Sequence, residues 1–286
     1  MSATESEIFQ LEHPRDPKRI VRGRIEGPRG FESAREPLPH VLVLHGFKGF
    51  MDWGFFPELS RRIAARGMVA VRFNMSGSGI GPDLESLTDL EAFAHNTYTR
   101  ELEDVELVRA WLRSHRWPSI DLDRAALFGH SRGGGVALLH AAERGDVRSI
   151  VTWSAIPDVD RFDEATKAEW RERGHLTIHN ARTHQDLELA LDALDDVERN
   201  RERLDIEAAC RRITAPVLLI HGSADETVAV GALDRLRSAV DPKLVRTLVI
   251  EGAGHTFGVT HPMRSSTEPF ERAVTATIEM FERHWS

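Results

Sequence analysis

The feature that most constrains this chain is a repeated alternation, in which short apolar runs bounded by turn residues are each followed by a segment of helical period. Residues 41–44 form an unbroken apolar run between Pro39 and Gly46, the pattern of a strand buried on both faces. A helix is expected over 57–66. The alternation then recurs with strands at 68–73, 125–128 and 149–153 and helices at 91–114 and 132–143. Strands separated by helices imply parallel pairing, right-handed crossovers and helices on both faces of one sheet. Two further strands, 8–11 and 20–25, precede this core. The expected fold class is α/β, a mostly parallel central sheet flanked by helices on both faces.

After the sixth strand the pattern breaks. Residues 157–212 are rich in Asp, Glu and Arg, mostly helical in period, and hold no convincing strand. They are read as a helical cap insertion, dividing a core made of 1–156 and 213–286. Alternation resumes with strands at 217–220 and 244–250 and helices at 231–240 and 267–284. In such sheets ligands bind outside the carboxyl ends of the strands, so chemistry is sought in the loops that follow them.

Composition narrows the chemistry. With 37 Lys and Arg against 45 Asp and Glu the net charge is −8, which argues against nucleic acid or an anionic membrane as partner and favours a small-molecule substrate. One cysteine, Cys210, excludes an intrachain disulfide framework and any cysteine-rich zinc or iron–sulfur site. The first ten residues are polar and acidic, and no run of about 18 apolar residues occurs. A cytoplasmic setting is the expectation, and a homodimer is left open.

Directly after the strand at 125–128 stands Gly129-His130-Ser131-Arg132-Gly133, followed by Gly134, Gly135 and a helix. This is the strand, sharp turn and helix that a G-x-S-x-G nucleophile elbow requires. The turn strains its central serine, and side chains at Gly129 or Gly133 would collide where strand and helix approach. A serine hydroxyl needs a base, and the base an orienting acid. Asp225 follows the strand at 217–220 and His255 the strand at 244–250, each in a Gly-containing loop. Ser131, His255 and Asp225 are thus the expected nucleophile, general base and orienting acid, with Glu226 and Asp158 as rivals to Asp225.

The oxyanion of a tetrahedral intermediate needs two backbone donors. Arg132, next to the nucleophile, supplies one N–H, and Phe47 in the loop His45-Gly46-Phe47-Lys48-Gly49-Phe50 the other. Lys48 is one of only four lysines and sits beside this site, where a solvated loop lysine and a contact to an anionic substrate are both open readings.

These motifs, His45-Gly46-Phe47, Gly129-x-Ser131-x-Gly133, His221-Gly222-x-x-Asp225 and Gly254-His255, resemble the α/β-hydrolase superfamily. Within it the chain is most similar to serine esterases and acyl hydrolases of the cinnamoyl/feruloyl esterase and prolyl-oligopeptidase-type, dienelactone-hydrolase-like branch. The resemblance implies an acyl-enzyme mechanism without cofactor. Ser131 at the elbow separates the chain from relatives that use Cys or Asp there. One departure is Asn74-Met75-Ser76-Gly77 after the strand at 68–73, where relatives often carry Asp-x-Arg-Gly.

The expected activity is hydrolysis of a carboxylic ester of a small or medium acyl or aromatic acid. A thioesterase or serine peptidase with the same triad is the alternative, and a ligand-binding receptor on a hydrolase scaffold is the alternative of another class. Phe50, Trp53, Phe55 and Phe56 in the oxyanion loop, with Trp153, Phe162 and Trp170 in or before the cap, are candidates to line an acyl pocket. Gly77-Ser78-Gly79-Ile80-Gly81 is discounted as a dinucleotide fingerprint, because Pro82 and the acidic residues after it do not open a helix. His175, His179 and His184 lack an acidic partner at metal-site spacing and are read as structural, and the alternating charges of 192–203 as a solvated helix face.

Overall fold

A computed structural model describes residues 3–117, 119–180 and 183–285, with only the backbone of 115 and 116. In chain order the elements are β1 (Thr4–His13), β2 (Asp16–Pro28), β3 (Leu38–Leu44), α1 (Phe56–Ala64), β4 (Val69–Asn74), α2 (Leu90–Ala94), α3 (Tyr98–Trp111), β5 (Ile120–His130), α4 (Arg132–Arg144) and β6 (Ser149–Trp153). There follow α5 (Glu164–Arg173), β7 (His175–Asn180), β8 (Gln185–Ala190), α6 (Leu191–Arg199), α7 (Ile206–Cys210), β9 (Val217–Gly222), α8 (Gly231–Ala239), β10 (Val245–Ile250) and α9 (Glu268–Arg283).

Eight strands form one sheet in the order β1-β2-β4-β3-β5-β6-β9-β10. β2 is antiparallel to both β1 and β4, and every other neighbouring pair is parallel. This is the α/β-hydrolase architecture. From β3 the chain winds to β4 on one side and later to β5 on the other. A crevice therefore opens beyond the carboxyl ends of β3 and β5, where the loops carrying Phe47 and Ser131 emerge.

Alternate side chains of the buried strands enter two separate cores, which is why their sequences read as unbroken apolar runs. Leu42, Leu44, Val71, Phe73, Leu127 and Ile150 face one core, with residues of α3, α4, α7 and α8. Val41, Val43, Phe128, Val151, Trp153 and Ile220 face the other, with α1 and α9. A third cluster lies off the sheet, joining Phe50, Phe93, Trp170, Leu187, Leu189 and Leu194. Cys210 is buried in the first core, where desolvation pushes its thiol up to about 12. Among the described residues no helix is long and apolar enough to cross a membrane.

Two expectations are corrected. The helix expected over 91–114 is broken into α2 and α3. Thr97 adopts an extended conformation and its side chain accepts the Arg100 N–H, capping a new helix. The segment 157–212 is also not purely helical, since β7 and β8 pair as an antiparallel hairpin from His175↔Ala190 to Asn180↔Gln185. In β8 the buried Leu187 and Leu189 alternate with exposed Asp186 and Glu188, a period of two in a stretch too short to stand out among charged neighbours. His175 and His179 therefore lie on a strand, near Glu188 and Asp186 respectively.

Candidate active site

β5 ends at His130 and α4 begins at Arg132, so Ser131 is the whole of the turn between them. Its φ of 56° and ψ of −120° lie in a region that a side chain rarely adopts, a strain of about 1–3 kcal/mol. The turn is held by backbone bonds: Ser131 N–H donates to the Trp153 carbonyl at 2.9 Å, and the Ser131 carbonyl accepts from Gly134 at 3.0 Å. A Cβ at Gly129 would lie 2.2 Å from the Gly133 oxygen, and one at Gly133 would lie 2.4 Å from the His45 oxygen. The flanking glycines are thus required by the approach of strand, helix and the loop after β3.

Asp225 stands in the loop after β9. Its Oδ1 accepts the N–H groups of Thr227 and Val228, each at 2.9 Å, and its Oδ2 accepts His255 Nδ1 at 2.8 Å. A Cβ at Gly222 would come within 2.2 Å of the Ala253 oxygen, so glycine there lets the loops after β9 and β10 close on each other. Burial opposes ionisation of Asp225, but the hydrogen bonds from His221, His255 and Val228 outweigh it and hold the carboxyl well below the usual range. Because a carboxylate only accepts, His255 Nδ1 carries the proton and Nε2 is left as the basic nitrogen. The His130 ring packs 4.6 Å from that of His255 and its Nε2 donates to the His255 carbonyl at 3.0 Å. Burial, with the charge of His255, pushes His130 down to about 3, so it stays neutral beside the site. Of the rivals, Glu226 is exposed and Asp158 lies 3.7 Å from Arg235, and among the described residues neither is bonded to His255.

The loop after β3 is held at two points. His45 Nε2 accepts the Met75 N–H at 3.2 Å, so its Nδ1 carries the proton donated to the Gly46 carbonyl at 2.8 Å. Asn74 Oδ1 accepts the Met51 N–H at 2.7 Å. The departure at residues 74–77 is resolved by other partners: Ser76 N–H donates to the buried Asp104 at 2.7 Å, and Arg19 reaches the same carboxylate at 2.9 Å. Phe47 and Arg132 both border the cavity, and the Arg132 N–H belongs to the first turn of α4, where a helix leaves its donors without intrahelical acceptors.

Ser131 and His255 line one cavity of about 820 Å³. Of the sequence candidates, Lys48, Trp53, Phe56, Phe162 and Trp170 line it as well. Lys48 Nζ donates to the His179 carbonyl at 3.2 Å, tying the loop after β3 to the hairpin. Trp153 and Phe50 are corrected. Trp153 is wholly buried beneath the sheet, its ring 5.0 Å from Phe257 and its Nε1 donating to Thr277. Phe50 belongs to the third apolar cluster, edge-on to His261. Phe55 is likewise core. Aromatic character alone does not separate these three residues from those on the cavity wall; only the packing of distant elements decides which side chains face the cavity.

Residues missed from sequence include Asn96, Tyr98 and the side chain of Arg132, all on the cavity wall. Arg132 stacks 3.8 Å over the Tyr98 ring and pairs with the buried Glu101 at 2.8 Å. Reading 91–114 as one helix hid the first two, since the break at Thr97 is what turns them to the cavity. The sequence offers His221 only as part of a motif, yet its Nε2 lies 2.8 Å from the Val228 oxygen and 3.4 Å from Asp225 Oδ2.

The model of the prolyl oligopeptidase family matches residues 53–272. The esterase domain of a Rhodothermus marinus protein shares 18% identity over 99% of this chain and 100% of its own, with a TM-score of 0.67. Est1E from Butyrivibrio proteoclasticus shares 17% over 97% and 98%, at a TM-score of 0.68. The α/β hydrolase GrgF from Penicillium sp. sh18 shares 14% over 98% and 99%, at 0.74. No curated protein matches the chain significantly. At these identities the structures share the fold.

Proposed function

The chain belongs to the prolyl oligopeptidase family of hydrolases, and from that premise we propose that it is a serine esterase acting on carboxylic esters of small or medium acyl or aromatic acids. The observation that carries this reading is the 2.8 Å bond from His255 Nδ1 to Asp225 Oδ2, which orients an imidazole on the wall of the cavity that also holds the strained Ser131. Ser131 Oγ attacks the ester carbonyl carbon while His255 Nε2 takes the hydroxyl proton. The oxyanion is held by the N–H groups of Phe47 and Arg132. Collapse of the intermediate breaks the bond to the alkoxy oxygen, which leaves as the alcohol with the proton from His255. Water, deprotonated by His255, then attacks the acyl-enzyme and frees the acid and Ser131. Asp225 holds the tautomer and stabilises the imidazolium throughout.

Residues 157–212 act in this reading as a cap, since Phe162, Trp170, Ile178, Leu189 and Leu194 from it line the cavity. Supporting an ester substrate is the kinship in fold with the Rhodothermus esterase domain and with Est1E, which has been described bound to ferulic acid. The family match favours a second reading, a serine peptidase or amidase using the same triad. A panel of p-nitrophenyl esters, hydroxycinnamate esters, acyl thioesters and aminoacyl amides, compared by kcat/KM, separates the two. The expected result is ester hydrolysis abolished in Ser131→Ala and labelling of Ser131 by a fluorophosphonate. Wild-type ester turnover by Ser131→Ala overturns the assignment.

A further inference from the structure

The charges lining the cavity do not balance. Its cationic side chains are Lys48, Arg132 and Arg161, and Asp160 is the only carboxylate among the described lining residues. Asp160 is already met by Lys167, whose Nζ lies 2.6 Å from its Oδ2, and Arg132 is met by Glu101. Arg161 is exposed and makes no ion pair or hydrogen bond among the described residues. An uncompensated guanidinium in the cavity that holds Ser131 and His255, in a chain with net charge −8, runs against the charge of the whole molecule.

Tyr98 offers a second donor in the same region. The residue is only 6% exposed, yet its hydroxyl makes no hydrogen bond among the described residues, which leaves a donor on the cavity wall to be met by water or a ligand. Burial raises the pKa of this hydroxyl, with Arg132 and Arg161 pulling it down and Glu101 and Asp158 pushing it up. Arg161 and Tyr98 line the same cavity, and a guanidinium together with a phenol O–H is a donor set suited to a carboxylate. Around it the wall is apolar, with Phe47, Trp53, Trp170, Leu189 and Leu194.

We propose that the substrates of this site carry a carboxylate at the far end of an apolar acyl chain, received by Arg161 and Tyr98, so that the preferred esters are hemiesters of dicarboxylic acids. The acyl side is assigned because Tyr98 packs on Arg132, the neighbour of the nucleophile to which the acyl group becomes attached. This rests on the hydrolytic reading above and names its substrate class.

The test compares the p-nitrophenyl monoester of adipic acid with p-nitrophenyl hexanoate, equal in chain length and different in charge. The wild-type ratio of kcat/KM, anionic over neutral, should fall about ten- to hundredfold in Arg161→Gln, the loss expected for a charge-assisted hydrogen bond. Arg161→Lys should retain part of the preference, Tyr98→Phe should reduce it several-fold, and added salt should weaken it in the wild type. A ratio unchanged in Arg161→Gln overturns the proposal while leaving the esterase reading intact. Hydrolysis of neither ester overturns the esterase reading. In that case calorimetric binding of monomethyl against dimethyl adipate decides the carboxylate site: a preference for the monoester lost in Arg161→Gln supports it, and equal binding overturns it.

Discussion

His255 Nδ1 and Asp225 Oδ2 are 2.8 Å apart, while Glu226, the adjacent residue, is exposed and bonded to neither. That relationship selects between the two carboxylates of the loop. Asp225→Asn should lower kcat by about 10⁴, because the amide no longer enforces the tautomer in which His255 Nε2 is basic. Glu226→Gln should leave kcat within a factor of about two. Steady-state kinetics on an activated ester checks both, and equal losses would shift the orienting role away from Asp225.

Ser131 combines the proposed chemistry with backbone strain. Ser131→Ala should lower kcat by about 10⁶ with the fold retained. Ser131→Gly should be equally inactive yet melt about 2 °C higher than Ser131→Ala, because glycine adopts a φ of 56° without the steric cost. Thermal unfolding of the pair reads the strain, and identical melting temperatures would argue that the turn stores none.

The elbow glycines should be intolerant for a steric reason. Gly129→Ala puts a Cβ 2.2 Å from a backbone oxygen that cannot move without shifting α4, and should cost about 3 kcal/mol. Gly231→Ala, at the start of α8 with nothing within 4 Å of the added Cβ, should be neutral or slightly stabilising. Chemical denaturation of the two variants, with comparable losses for both, would contradict the packing argument.

Two buried histidines set an acid limit on stability. Burial holds His40 down to about 4 and His130 to about 3, from an ordinary value of 6.5. Between those values the unfolded chain binds more protons than the folded one, so stability rises with pH through the window and is lost on acidification below about 6.5. Each contributes a slope of about 1.4 kcal/mol per pH unit. Asp104, which burial raises to about 6, acts with the opposite sign between its ordinary value of 3.8 and 6. His130→Gln should therefore flatten the pH dependence of the urea midpoint by about one proton, and a profile parallel to the wild type would remove His130 from this account.

Much of this molecule is legible one residue at a time. The apolar runs of β3, β4, β5, β6 and β9 announce a sheet covered on both faces, because burial on both sides removes the polar alternation. The glycines around Ser131 announce the elbow, because only residues without a Cβ fit where strand meets helix. The order Ser131, Asp225, His255 follows from loops placed after parallel strands, whose carboxyl ends all lie at one edge.

What tertiary structure alone decided is which side chains share a space. Trp153 and Phe50 are as aromatic as Trp53 and Phe162, yet the first two pack into cores and the others face the cavity. The hairpin of β7 and β8 and the break at Thr97 depend on partners far along the chain, such as Lys48 bonded to His179 and Thr99 to Asp196. The imbalance proposed at Arg161 exists because Asp160, the one carboxylate among the described lining residues, is paired with Lys167. Local sequence governs backbone conformation and the direction of alternate side chains. Pairing of distant groups, and with it the chemistry of the cavity, is settled when the elements pack.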